Sequence, residues 1–125
     1  MSKGPELFNK ESLNNALFCA VLMTAIDGKY NQTEWDECQN FLTDFWKDEY
    51  GDPKQMVMGV AKEVRPYLTS RSALNEKIIE LSNILNSSQK EVVLSIAEKV
   101  MHADGHVLLL ESELLNRFKK EFEKE

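Results

Sequence analysis

Residues 24–34 read TAIDGKYNQTE, and residues 101–111 read MHADGHVLLLE. Each stretch follows an apolar run with helical periodicity, and in each a glutamate stands seven residues after the aspartate of an Asp-Gly pair. Glycine favours a left-handed turn at the end of a helix, and the helix dipole favours an acidic residue in the first turn of the next helix. Each stretch, called here the first or the second acidic corner, therefore predicts a helix, a tight turn and another helix.

The two corners match along their length when they are aligned on the aspartate. The matched pairs are Ala20 with Ala97, Asp27 with Asp104, Gly28 with Gly105, Tyr30 with Val107, and Glu34 with Glu111. The pattern predicts repeat-like elements at about residues 12–50 and 88–123, with two more helices between them. We expect the two elements to pack with pseudo-twofold symmetry.

The remaining segments also have a period near 3.6, and none shows the sustained alternation of a strand. The expected helix starts are Ser12, Asn31, Asp52 with Pro53 as first helical residue, Ser72, Ser88 with Glu91 in a capping box, and about Leu110. The first helix is apolar on nearly all sides in its second half, which is typical of a central helix. The sequence predicts a single all-α domain over residues 1–125, a bundle of about six helices.

Composition restricts the classes of function. The chain has 21 acidic and 15 basic residues and a net charge of -6, which argues against a nucleic-acid-binding surface and favours cations or basic partners. The longest apolar run, residues 16–26, is too short to span a bilayer, and the N-terminus lacks a signal-peptide core. We therefore expect a cytoplasmic protein without a transmembrane segment. Cys19 and Cys38 have no zinc spacing and are expected to stay thiols, with Cys19 in the core.

The corners resemble half of a calcium-binding EF-hand loop, which also contains Asp-Gly-x-apolar-x-x-x-Glu. The first half of that loop is missing, because Met23 and Ala25, or Val100 and His102, stand where oxygen ligands are needed. Calcium takes six to eight oxygens, so neither corner alone is an EF-hand.

Two interpretations of the acidic residues remain open. If the corners meet, Asp27, Glu34, Asp104 and Glu111 could together bind a hard divalent cation, with waters completing the shell. The histidines His102 and His106 flank the second corner and would admit zinc or a softer metal. Alternatively, the carboxylates only cap helices and bind nearby amide groups.

The paired corners, AIDGKYNQTE at 25–34 and HADGHVLLLE at 102–111, resemble the tellurite-resistance TerB-like family. The resemblance implies a duplicated all-helical domain of a bacterial stress response that is cytosolic or membrane-peripheral. Such proteins are described as cation-binding or scaffolding and not as enzymes. The family's acidic positions would fall on Asp27, Glu34, Asp104 and Glu111, and a membrane-associated stress complex would be the kind of partner implied.

The second corner departs from the family pattern at Leu108-Leu109-Leu110, where a small capping residue and polar neighbours are expected. Because Leu108 cannot cap a helix, this corner could differ locally from the first. The leucines could contact a protein partner or a second copy of the chain, or could be covered by the third helix.

The sequence contains no catalytic motif, no phosphate-binding glycine loop and no HExxH, so we expect no enzymatic activity. The leading hypothesis is a TerB-like protein that binds a divalent cation or acts as a scaffold. The alternative is an interaction module in which the acidic corners are structural only.

Overall fold

A computed structural model describes residues 7–28, 31–103, 105 and 107–123. Across these residues the chain is helical and contains no strand, which confirms the all-α prediction. The helices are α1 (Lys10–Ala25), α2 (Gln32–Phe45), α3 (Pro53–Glu63), α4 (Arg65–Leu68), α5 (Arg71–Ile84), α6 (Ser87–His102) and α7 (Leu109–Phe122), with a short 3-10 turn at Asp48–Tyr50. Within the described ranges the six expected helices are therefore present, together with the four-residue α4.

Helix α1 is the centre of the bundle, as its sequence predicts. Every residue from Ala16 to Thr24 is buried, including those outside its main apolar stripe. Helix α1 packs against α6, α2, α3 and α7, while α5 packs against α4 and α7. The buried apolar side chains of these helices form one core.

Three helix starts differ from the prediction. Helix α1 begins after Asn9 and not at Ser12, because the Asn9 side chain accepts a hydrogen bond from the Ser12 N–H at 2.8 Å and the Asn9 N–H donates to Ser12 Oγ at 2.9 Å. Two hydrogen bonds of the same reciprocal kind join Asn86 and Gln89, and α6 therefore begins after Asn86 and not at Ser88.

The third corrected start is that of α5, where Ser70 and not Ser72 is the capping residue. The Ser70 hydroxyl accepts from the Ala73 N–H at 3.2 Å. The caps predicted at Asn31 and Asp52 are confirmed, and Pro53 is the first residue of α3.

The helices around the two corners have equal lengths. Helices α1 and α6 each span 16 residues, and α2 and α7 each span 14 residues. Each pair is offset by 77 positions, the same offset that relates Asp27 to Asp104. The equal bounds agree with an internal duplication, which stays a prediction. No helix in the described ranges combines the length and apolar character needed to cross a bilayer.

Candidate functional site: the acidic corners

Both acidic corners begin with a glycine turn at the end of an apolar helix. The Gly28 N–H donates to the Ala25 carbonyl at 2.9 Å, and the Gly105 N–H donates to the His102 carbonyl at 3.0 Å. The φ angles of Gly28 and Gly105 are 75° and 81°, in the left-handed region that glycine adopts without a Cβ clash. The predicted helix-ending glycines are therefore confirmed in both corners.

The second half of each corner starts a helix with the same backbone but different capping. Asn31 and Leu108 both have extended backbones, and the Asn31 side chain accepts from the Glu34 N–H at 3.0 Å. The hydrocarbon side chain of Leu108 cannot do this, and the Leu108 N–H donates to Glu111 Oε1 at 3.4 Å. The difference expected from Leu108 is thus a missing side-chain cap, whereas the position of the helix start is unchanged.

The corner glutamates are buried, although both stand in the first turn of a helix. Glu34 is 2% exposed and Glu111 is 0% exposed, each as the third residue of its helix, whereas Asp27 is half-buried. A glutamate that only complements the helix dipole gains nothing by leaving water, and burying a carboxylate costs several kcal/mol unless it is protonated, hydrogen-bonded or bound to a cation. The burial of both glutamates is a signal that the sequence pattern did not contain.

Two of the proposed ligands, Asp104 and His106, lie outside the described residues. His102 is the last residue of α6 and is exposed. Among the residues that the structure describes, no group of three or more His, Cys, Asp or Glu side chains is arranged to bind a metal ion. The predicted four-carboxylate site includes Asp104, so it stays a prediction.

The first corner lies close to the start of α7. Ile26, which directly precedes Asp27, and Leu110, which directly precedes Glu111, both line one cavity of about 320 Å³. Residues adjacent to an acidic side chain of each corner therefore face the same space at one end of the bundle.

The three leucines of the second corner are on the surface. Leu109 is 74% exposed, and Val107, Leu108 and Leu110 are each more than one-third exposed. The alternative in which the third helix covers them is wrong.

The cavity lined by Ile26 and Leu110 is also lined by Arg71 of α5 and Arg117 of α7. The sequence did not indicate this pair of arginines, because only tertiary packing brings α5 and α7 together.

Both cysteine thiols are buried and unreactive at neutral pH. Burial raises the pKa of Cys19 and of Cys38 from 9.0 to about 12. The Thr24 hydroxyl lies 3.5 Å from Cys38 Sγ, and this contact only partly offsets the effect of burial. At neutral pH both residues are protonated, and a protonated thiol is neither a nucleophile nor a metal ligand.

The chain matched no protein-family model, no curated protein and no solved structure. The resemblance to the TerB-like family therefore depends on the residues of the two acidic corners, and what it implies about function is a proposal.

Proposed function

We propose that this chain is a non-enzymatic, TerB-like domain that binds a divalent cation between its two acidic corners, as part of a bacterial stress response. The observation that supports this most directly is the proximity of the two corners, because Ile26 and Leu110, the residues before Asp27 and Glu111, line one cavity. Asp27, Glu34 and Glu111 do not line that cavity, so the cation would bind beside it and not in it. The burial of Glu34 and Glu111 also supports the proposal, because a bound cation offsets the cost of removing carboxylates from water.

The donor set determines the class of metal. Asp27, Glu34, Asp104 and Glu111 would supply carboxylate oxygens, which suit Ca²⁺, Mg²⁺ or Mn²⁺ with waters in the remaining positions. Zinc would need nitrogen ligands, which in this part of the chain only His102 and His106 could supply. We propose a hard cation and treat zinc as the alternative.

The test is a calorimetric and thermal titration of chelator-treated protein with Ca²⁺, Mg²⁺, Mn²⁺ and Zn²⁺. A ligand that binds only the folded state stabilises it by about 2.7 kcal/mol at a hundredfold excess over Kd. For a domain of this size that corresponds to a rise in Tm of about 5 to 15 °C. We expect Asp27→Ala and Asp104→Ala each to abolish the rise, because both corners contribute to one site.

The matched control is Asp44→Ala, which removes an exposed carboxylate from α2 and should leave the metal response intact. If none of the four ions changes the Tm or releases heat, cation binding is wrong. If Asp104→Ala keeps the full response while Asp27→Ala loses it, the site belongs to one corner and not to both.

A second candidate function is a protein-interaction module whose corners are structural only. The exposure of Val107, Leu108, Leu109 and Leu110 favours it, since contiguous apolar side chains on a surface usually mark a contact with a partner. In that case Asp27→Ala would lower the Tm without changing the affinity for any ion.

A further inference from the structure

A groove lies between α5 and α7, next to the second acidic corner. Two cavities of about 320 and 420 Å³ adjoin there, because Arg117 lines both. We call this surface the α5–α7 groove, and the residues that define it are Arg71, Leu74, Ile79, Leu110, Arg117 and Lys120.

Exposed apolar side chains line the rim of the groove, and they stand next to the start of α7, which lacks a side-chain cap. Leu110 and Ile79 are each 48% exposed. The first corner has the polar residues Asn31-Gln32-Thr33 at the positions that Leu108-Leu109-Leu110 occupy in the second. A leucine at this capping position costs about 1 kcal/mol of helix stability relative to asparagine. Of the three leucines only Leu110 lines the groove, and its neighbour Leu109 is 74% exposed. A sequence that breaks a local folding rule without a folding benefit indicates a functional surface.

The charge of the groove is opposite in sign to that of the whole chain. Arg71, Arg117 and Lys120 line it against Glu113 and Glu121, whereas the chain carries a net charge of -6. The three cations form no ion pair with any residue that the structure describes. Whole-chain charge favours basic partners, but this groove is locally suited to an acidic one.

The floor of the groove adds a buried polar atom to this pattern. Asn75 Oδ1 is shielded from solvent and receives no hydrogen bond from the described part of the chain. Asn75 is one of the residues that line the larger cavity.

We propose that the α5–α7 groove binds an amphipathic helix of a partner protein, with apolar residues on one face and aspartate or glutamate residues beside them. The stretch of α5 from Arg71 to Ile79 is about 12 Å long, which matches two to three turns of such a helix. Leu110 and Ile79 would contact its apolar face, and Arg71, Arg117 and Lys120 its carboxylates. This inference rests on the second candidate function and does not require a bound cation.

The test uses two synthetic helices of 14 residues labelled with a fluorophore. Both carry leucines at positions i, i+3, i+4 and i+7, and their flanking positions are all glutamate in one and all lysine in the other. We expect fluorescence anisotropy with chelator-treated protein to show at least tenfold tighter binding of the glutamate helix. Arg71→Glu and Leu110→Asp should each weaken that binding at least tenfold.

Both substitutions place an acid in the first turn of a helix, where the dipole favours it, so the fold should be retained. The control is Met58→Asp, which changes an apolar side chain of α3 that is 58% exposed and should not alter binding. Circular dichroism of each variant checks folding.

Several results would overturn the proposal. These are absence of binding, equal affinity for the two helices, and full binding by Leu110→Asp. Self-association that blocks the probe and is lost in Leu110→Asp would assign the groove to a second copy of the chain. Binding to phosphatidylglycerol vesicles that Leu110→Asp abolishes would assign it to a lipid surface. Since the titration is done without metal, its outcome is independent of the cation test.

Discussion

Glu34 and Glu111 carry more information than their position in the sequence suggests. A solvent-exposed glutamate in a first turn contributes about 0.3 to 1 kcal/mol through the helix dipole. Burial removes the solvation of the charge, and this costs more than the dipole returns unless another interaction compensates. Since Glu111 accepts a hydrogen bond from the Leu108 N–H, the near-complete burial of the two glutamates is compatible both with a bound cation and with a purely structural role.

The two buried thiols predict a loss of stability in alkali. Both have a pKa raised from 9.0 to about 12 in the folded chain, so between these values the unfolded chain binds fewer protons and stability falls as pH rises. The two thiols together should cost about 2.7 kcal/mol between pH 8 and pH 10. Urea unfolding at both pH values measures this.

The control for this prediction is the double variant Cys19→Ala and Cys38→Ala, which should lose that much less between the two pH values. An equal loss in the variant and in the original chain would show that other groups, and not the thiols, cause the alkaline destabilisation.

At the scale of elements, the presence and type of the six longer helices were predictable, but the short α4 and three of the helix starts were not. Suitable capping residues stand close together before α1 and α6, and the sequence alone does not rank them. The structure uses Asn9 with Ser12 and Asn86 with Gln89, because in each pair both reciprocal hydrogen bonds form. For α6 the sequence offers two such pairs, Ser88 with Glu91 and Asn86 with Gln89, so checking the third helical residue does not choose between them.

The uncapped start of α7 predicts that the chain is less stable than it could be. Leu108→Asn should add the side-chain bond that Asn31 makes in α2 and raise the free energy of unfolding by about 1 kcal/mol. Urea unfolding measures the change. The matched variant Asn31→Leu should lower stability by a similar amount. If Leu108→Asn instead destabilises the chain, Leu108 contributes packing to the fold, and its reading as part of a binding surface is wrong.

At the scale of the whole molecule, the sequence predicted that α1 is central. It predicted neither the burial of the corner glutamates nor the α5–α7 groove. The second half of α1 is apolar on nearly all sides and can only be buried, so the central place of this helix followed from its sequence alone. The burial of the corner glutamates depends on how separate helices pack, and so does the placement of Arg71 and Arg117 around one cavity. No local pattern encodes such contacts, and for that reason the α5–α7 groove became visible only in the structure.

A single core predicts that the chain unfolds as one unit. Both tryptophans, Trp35 and Trp46, lie in or directly after α2, so their fluorescence reports the repeat-like element at about residues 12–50. Leu115→Ala in α7 removes a buried side chain and should cost about 2 to 5 kcal/mol. In a two-state transition the free energies of unfolding measured by tryptophan fluorescence and by far-ultraviolet circular dichroism should both fall by that amount.

The control is the exposed Leu109→Ala, which should change neither free energy by more than about 0.5 kcal/mol. Should the fluorescence midpoint stay fixed while circular dichroism becomes biphasic, the repeat-like elements unfold separately, and residues 1–125 are not one cooperative domain.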